Sequence, residues 1–240
     1  MNSVFWAALA IGGTTLMGTG CGFLFSHISD AGNDAVTSFA AGVMLAAAAV
    51  GLFAPAMEMA SGWGVLLIVS GAACGVLFLR GIARASARFR AGSLLAHNPE
   101  LMFVLAIAVH KFPEGMAGGV GLNGMDAAAA LTVVIGIALQ NLPEGAVMIP
   151  PLLSAGVRRS SAACIALATG LLNAAGVYAG AAWGSLAGGW MPFALAFAGG
   201  AMLDVIIGNM VPCAACGKNR HGTLIAMAGF LIMACVNVLF

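Results

Sequence analysis

Eight apolar runs of bilayer-spanning length dominate the chain, at residues 3–25, 37–60, 62–83, 101–122, 126–153, 160–184, 190–212 and 221–240. A helix needs about 20 consecutive apolar residues to cross the hydrocarbon core. The breaks between the runs are short and rich in Gly, Asn, Asp, Ser or Arg, as at Ser26–Asp34, Gly121–Asp126, Ala155–Arg159 and Cys213–Gly222. None is long enough for a second domain. The sequence therefore predicts one all-α domain over residues 1–240, a polytopic membrane helical bundle with eight transmembrane helices. Seven or nine spans are the alternatives.

Composition excludes a soluble globule. Charged residues make up 7% of the chain, against about 25% in soluble domains. The net charge of +1 gives no sign of a nucleic-acid partner. The 34 glycines suit close helix packing in lipid, because small residues let backbones approach. Six cysteines, four of them inside apolar runs, suggest no disulfide framework. No Lys or Arg precedes the first run, so it reads as a true span rather than a cleavable signal peptide.

The basic residues set the expected orientation. Arg80, Arg84, Arg88 and Arg90 follow the third span, Arg158 and Arg159 follow the fifth, and Lys218 and Arg220 follow the seventh. With eight spans these breaks share one side. The positive-inside rule makes that side cytoplasmic and puts both termini outside. The expected location is the cell (inner) membrane, multi-pass. Lys111 is the one basic residue of the nine that breaks the count, because it lies inside span 4.

Ionisable groups inside a bilayer are costly, so each marks a candidate site. Here they are His110, Lys111 and Glu114 in span 4, Glu144 in span 5 and Asp204 in span 7, with Glu58 near the end of span 2. Four of the five deep ones fall in a repeated pattern. Span 4 reads His110-Lys111-Phe112-Pro113-Glu114-Gly115, and span 5 reads Gln140-Asn141-Leu142-Pro143-Glu144-Gly145, 30 residues later. Residues four apart share a helix face, about 6 Å from each other. His110 thus pairs with Glu114, and Gln140 with Glu144. Pro113 and Pro143 each remove a backbone donor and crowd the preceding turn, so spans 4 and 5 are expected to be two Pro-kinked central helices. The two faces together offer an imidazole nitrogen, two carboxylates and an amide oxygen. That set suits a borderline divalent cation such as Zn²⁺, with Fe²⁺ or Cd²⁺ as alternatives, and two carboxylates balance one dication.

With the Gly42-Val43-Met44-Leu45-Ala46 run of span 2 and the Gly200-Ala201-Met202-Leu203 run of span 7, these motifs resemble the ZIP (zinc- and iron-regulated transporter-like) metal transporters. Gln140 in the second motif is similar to the GufA-like bacterial branch. The resemblance implies a transport site between spans 4 and 5, with His110, Glu114, Gln140 and Glu144 as ligands and Met44 as a thioether from span 2. Family members often hold a second metal beside the first. At the matching positions this chain has Lys111, Asn141 and Asn173. The resemblance therefore implies a single-metal site, with the Lys111 ammonium standing in the second-metal region and paired with Glu114 and Glu144. Many members carry acidic or His residues near the cytoplasmic end of span 7, where this chain reads Gly208-Asn209-Met210-Val211-Pro212-Cys213. Asp204, Cys213, Cys216 and His221 are the candidate route residues here. The His-rich tract of some members is absent after span 3, where only His97 occurs.

The expected function is divalent transition-metal transport, zinc first, from outside to the cytoplasm by alternating access. Cd²⁺, Fe²⁺ and Mn²⁺ are further candidate cargoes, and no resident cofactor is expected. A passive metal channel is the alternative. A membrane metalloenzyme fits less well, because the chain has no H-E-x-x-H and one mid-span His. The expected partners are the metal ion and membrane lipid, and the resemblance also allows a homodimer.

Overall fold

The computed structural model describes residues 2–24, 29–89, 99–184 and 188–239. Arg90 and His97 lie outside the described residues. Eleven α-helices follow in order: α1 Asn2–Leu24, α2 Asp30–Ala46, α3 Ala54–Met59, α4 Gly64–Phe89, α5 Pro99–Gly124, α6 Ala127–Val147, α7 Ile149–Ser154, α8 Arg159–Gly184, α9 Met191–Val205, α10 Val211–Cys216 and α11 Gly222–Leu239. No strand occurs among the described residues. Among the described residues, six helical runs are long and apolar enough to cross a membrane: Ser3–Leu24, Ala31–Met59, Gly64–Ile82, Ala127–Ser154, Arg159–Gly184 and Met191–Cys216. The apolar part of α11, Gly222–Asn237, is shorter. α5 is 26 residues long and carries the charged motif at its centre.

Local chemistry sets the ends. Asp126 caps α6, its carboxylate accepting from the N–H groups of Ala128 and Ala129 at 3.0 Å each, which satisfies donors that a helix start leaves orphaned. Ser29 caps α2 by accepting from Gly32 N–H. That cap starts the helix ahead of the apolar run that begins at residue 37, so its first turns are polar.

Two prolines outside the motif coincide with breaks in the α-helical hydrogen-bond ladder. α5 and α6 stay helical through Pro113 and Pro143. Two π-helical stretches, Ala47–Phe53 and Ile206–Met210, instead interrupt the second and seventh runs. Each ends two residues before a proline, Pro55 or Pro212. A proline lacks the N–H for the i−4 bond and its ring crowds the carbonyl there. The ladder slips to i−5 just upstream: Ala54 N–H bonds Ala49 O, and Val211 N–H bonds Ile206 O. Such π-bulges frequently sit near functional sites.

Four helix pairs build the bundle: α5 with α8, α1 with α6, α4 with α9 and α2 with α11. α6 against α2 and α5 against α9 join the pairs. Glycine makes two of these contacts close enough to matter for the site. A Cβ at Gly115 of α5 would lie 2.0 Å from the Asn173 carbonyl oxygen of α8, and one at Gly180 of α8 would lie 2.1 Å from the Met116 carbonyl oxygen. On α1, a Cβ at Gly18 would lie 2.1 Å from the Leu142 carbonyl oxygen of α6. Each helical Gly costs about 0.5–1 kcal/mol relative to Ala; backbone-on-backbone packing offsets it in lipid, where no hydrophobic force draws helices together. Large apolar side chains such as Leu24, Trp63, Leu171 and Leu224 point outward, as a lipid surround requires.

Candidate metal centre

α5 and α6 bring the two motifs face to face. His110, Lys111, Glu114, Gln140, Asn141, Glu144 and, from α8, Asn173 are all 0% exposed. A buried charge survives only when paired and hydrogen-bonded, and every charge here is. Lys111 Nζ donates to Glu114 Oε2 at 2.9 Å and Glu144 Oε2 at 2.6 Å. It also donates to Asn141 Oδ1. An ammonium has three donors, and all three are used. Asn141 is held in turn by its Nδ2, which donates to the Ile11 carbonyl of α1 at 2.9 Å.

The second oxygen of each carboxylate faces elsewhere. Glu144 Oε1 meets His110 Nε2, and Glu114 Oε1 accepts from Gln140 Nε2. Asn173 Nδ2 lies 3.4 Å from Glu114 Oε2. The two carboxylates thus split their oxygens between a fixed internal cation and a His–Gln side. On that side, ligand atoms of His110, Glu114 and Glu144 lie within 4.8 Å of one another. Gln140 Oε1 has no hydrogen-bond partner. One imidazole, two carboxylates and one free amide oxygen can complete a four-coordinate shell of the kind Zn²⁺ takes.

Of the other residues singled out in the sequence, Met44 is 0% exposed on α2, the helix that packs against α6. Asp204 of α9 accepts from Arg80 Nε of α4 at 2.8 Å, so its partner is a basic residue near the end of the third apolar run. Cys213 donates to Asp34 Oδ1 at 3.4 Å, while Cys216 and His221 are exposed. Among the described residues, the His110–Glu114–Glu144 group is the one trio of metal-ligating side chains, so Cys213, Cys216 and His221 form no such group.

Sequence reading passed over Asp34, which ties α2 to the α10–α11 turn through Cys213 and the Lys218 N–H. It also passed over Asn237, a buried-amide position near the end of α11. The signal for the second was available: an amide inside an apolar run is itself costly.

A fully buried trio of metal-ligating side chains inside an apolar helical bundle has the make-up that an intramembrane cation site needs. A family model described as ZIP Zinc transporter matches residues 90–237. The chain is 35% identical to Zinc transporter GufA of Myxococcus xanthus over 196 residues, 75% of this chain and 76% of that one. It is 30% identical to Zinc transporter ZIPB of Bordetella bronchiseptica, over 95% of this chain and 76% of that one. Zinc transporter ZIP11 of Xenopus tropicalis is 34% identical over 58% of this chain, a match that spans 43% of that protein. The chain belongs to the ZIP zinc transporter family, whose members are transporters rather than enzymes.

Proposed function

We propose that this protein carries Zn²⁺ from the outside to the cytoplasm through a single-metal site made by His110, Glu114, Gln140 and Glu144, with Met44 as a thioether contact. The observation that carries the reading is the buried trio: His110, Glu114 and Glu144 place their ligand atoms within 4.8 Å of one another, far from water. Cd²⁺, Fe²⁺ and Mn²⁺ are candidate competing cargoes of the same site.

Lys111 limits the site to one ion. It bonds the Oε2 atoms of both glutamates, where a second dication would have to bridge them. At an effective dielectric of about 20, a dication about 4 Å from an ammonium meets about 8 kcal/mol of repulsion. Asn141 and Asn173 add neutral amides where acids would be needed to offset it.

Eight membrane passes accommodate the helices: α1, α2–α3, α4, α5, α6–α7, α8, α9–α10 and α11. The basic breaks place both termini outside. Transport proceeds by alternating access, with bundles moving about the site. Pro113 and Pro143 weaken the backbone ladders beside the ligands and kink those helices during that motion. The resemblance to the family also allows a homodimer.

Uptake of Zn²⁺ and Cd²⁺ into proteoliposomes tests this, comparing wild type with His110→Ala and Glu144→Ala. Saturable uptake lost in both variants is the expected result. Uptake that does not saturate moves the assignment to a channel. Uptake absent from the wild type, or unchanged in the variants, overturns it.

A further inference from the structure

Asn237 on α11 and Gln140 on α6 line one cavity together with Ala47, Gly51, Leu52 and Gly136. Apart from these two amides, the lining is apolar. Both polar atoms of the Asn237 side chain are buried without a hydrogen-bond partner, and so is Gln140 Oε1. Partnerless buried polar atoms are rare and each asks for a reason. Three converging on one small space share a reason.

Backbone choices make the space. A Cβ at Gly136 would come within 3.0 Å of Asn237 Oδ1, so the glycine gives the amide its room. Across the cavity, Ala47, Gly51 and Leu52 all belong to the π-helical stretch upstream of Pro55. Gln140 Nε2 is engaged by Glu114, so its Oε1 is the atom available to the cavity. The volume is about 10 Å³, close to the minimum that holds one water of two to four polar contacts.

We propose that Asn237 and Gln140 form a hydration subsite of the metal centre: they hold one water that stays on the divalent ion as it arrives from the side of α11's C-terminal end. The water accepts from Asn237 Nδ2 and donates to Gln140 Oε1, and its remaining lone pair faces the ion. Gln140 Oε1 has two lone pairs, so it can serve water and metal together. The ligand class is therefore a partly hydrated divalent cation. The subsite is neutral, so it stabilises the hydrated ion without trapping it.

The inference rests on the transport reading above, and the experiment separates the two. Zn²⁺ uptake is measured in proteoliposomes for wild type, His110→Ala, Asn237→Leu, Asn237→Ala and Asn237→Ser. Outer-shell partners of metal ligands typically contribute 10–100-fold. Asn237→Leu fills the space without polarity, so KM rises by about tenfold or more while Vmax stays near wild type. Asn237→Ser, which restores a hydroxyl, recovers most of the wild-type KM. Apo Tm in Asn237→Leu equals or exceeds wild type, because a partnerless buried amide is removed. A merely structural role would lower Tm and leave KM alone. If Asn237→Leu fails to fold, Asn237→Ala and Asn237→Ser carry the same KM comparison. Wild-type uptake lost in His110→Ala with an unchanged KM in the Asn237 variants overturns the subsite and leaves transport standing. No uptake in the wild type overturns the transport reading on which the subsite rests.

Discussion

Lys111 of α5 donates to Glu144 of α6 at 2.6 Å, so an ammonium fixed to the chain ties together the two helices that carry the proposed ligands. Lys111→Ala removes it and leaves two buried carboxylates facing each other. Breaking a buried pair costs about 3–5 kcal/mol, so the apo variant should melt well below wild type. Metal should then restore more stability to the variant than to wild type. Metal content after equilibration and desalting should rise from about one ion per chain toward two in the variant, since metal can occupy the vacated position. A stoichiometry that stays at one would remove Lys111 from its role as a second-ion surrogate.

Asn141 orients that ammonium and anchors to the Ile11 carbonyl. Both of these hydrogen bonds lie away from the His–Gln side. Asn141→Leu should therefore weaken Zn²⁺ binding by about 10–100-fold, the usual effect of losing a supporting partner. Calorimetric titration of the purified protein measures it. Affinity equal to wild type would mean that Lys111 holds its place without help from α1.

The α5–α8 contact should tolerate no side chain. Gly180→Ala drives a Cβ toward the Met116 carbonyl, and overpacking of this kind costs about 1–3 kcal/mol. Gly20→Ala on α1 meets nothing within 4 Å and should be neutral or stabilising by up to about 1 kcal/mol. Thermal melts in detergent compare the two. A Gly180→Ala variant as stable as Gly20→Ala would show that the helices can separate at little cost.

Arg80 and Asp204 form an ion pair whose Arg side chain is 59% exposed. Exposed pairs contribute about 0–1 kcal/mol. Asp204→Asn should thus lower stability by less than about 1 kcal/mol and leave saturable uptake in place. Loss of uptake without loss of stability would instead make Asp204 a residue of the metal's route.

Much of this architecture was legible in the sequence, and the reasons it was are specific. Bilayer thickness imposes run lengths, so long apolar helical segments could be located without any knowledge of packing. The repeated motif placed His110 with Glu114 and Gln140 with Glu144 by helix periodicity, whereas the contacts made run across the two helices, His110 to Glu144 and Gln140 to Glu114. What escaped notice depended on contacts between distant segments. Asp204 finds Arg80 124 positions away, and nothing local announces that. The prolines show a different limit. Pro55 and Pro212 follow π-helical stretches, while Pro113 and Pro143 sit in helices that continue through them. A missing N–H is visible in sequence; which neighbouring helix supports the backbone around it is not.

The glycine contacts also constrain movement. Carbonyl oxygens of α8 rest where a side chain would be on α5, and those of α6 rest so on α1. No flexible side chain lies between them to act as a cushion. A displacement of either ligand-bearing helix must drag its partner along, so His110 and Glu114 share the travel of α8, and Gln140 and Glu144 share that of α1. Each half of the proposed coordination shell is lashed to its own frame, α5 to α8 and α6 to α1, so in a large excursion each half travels as one piece.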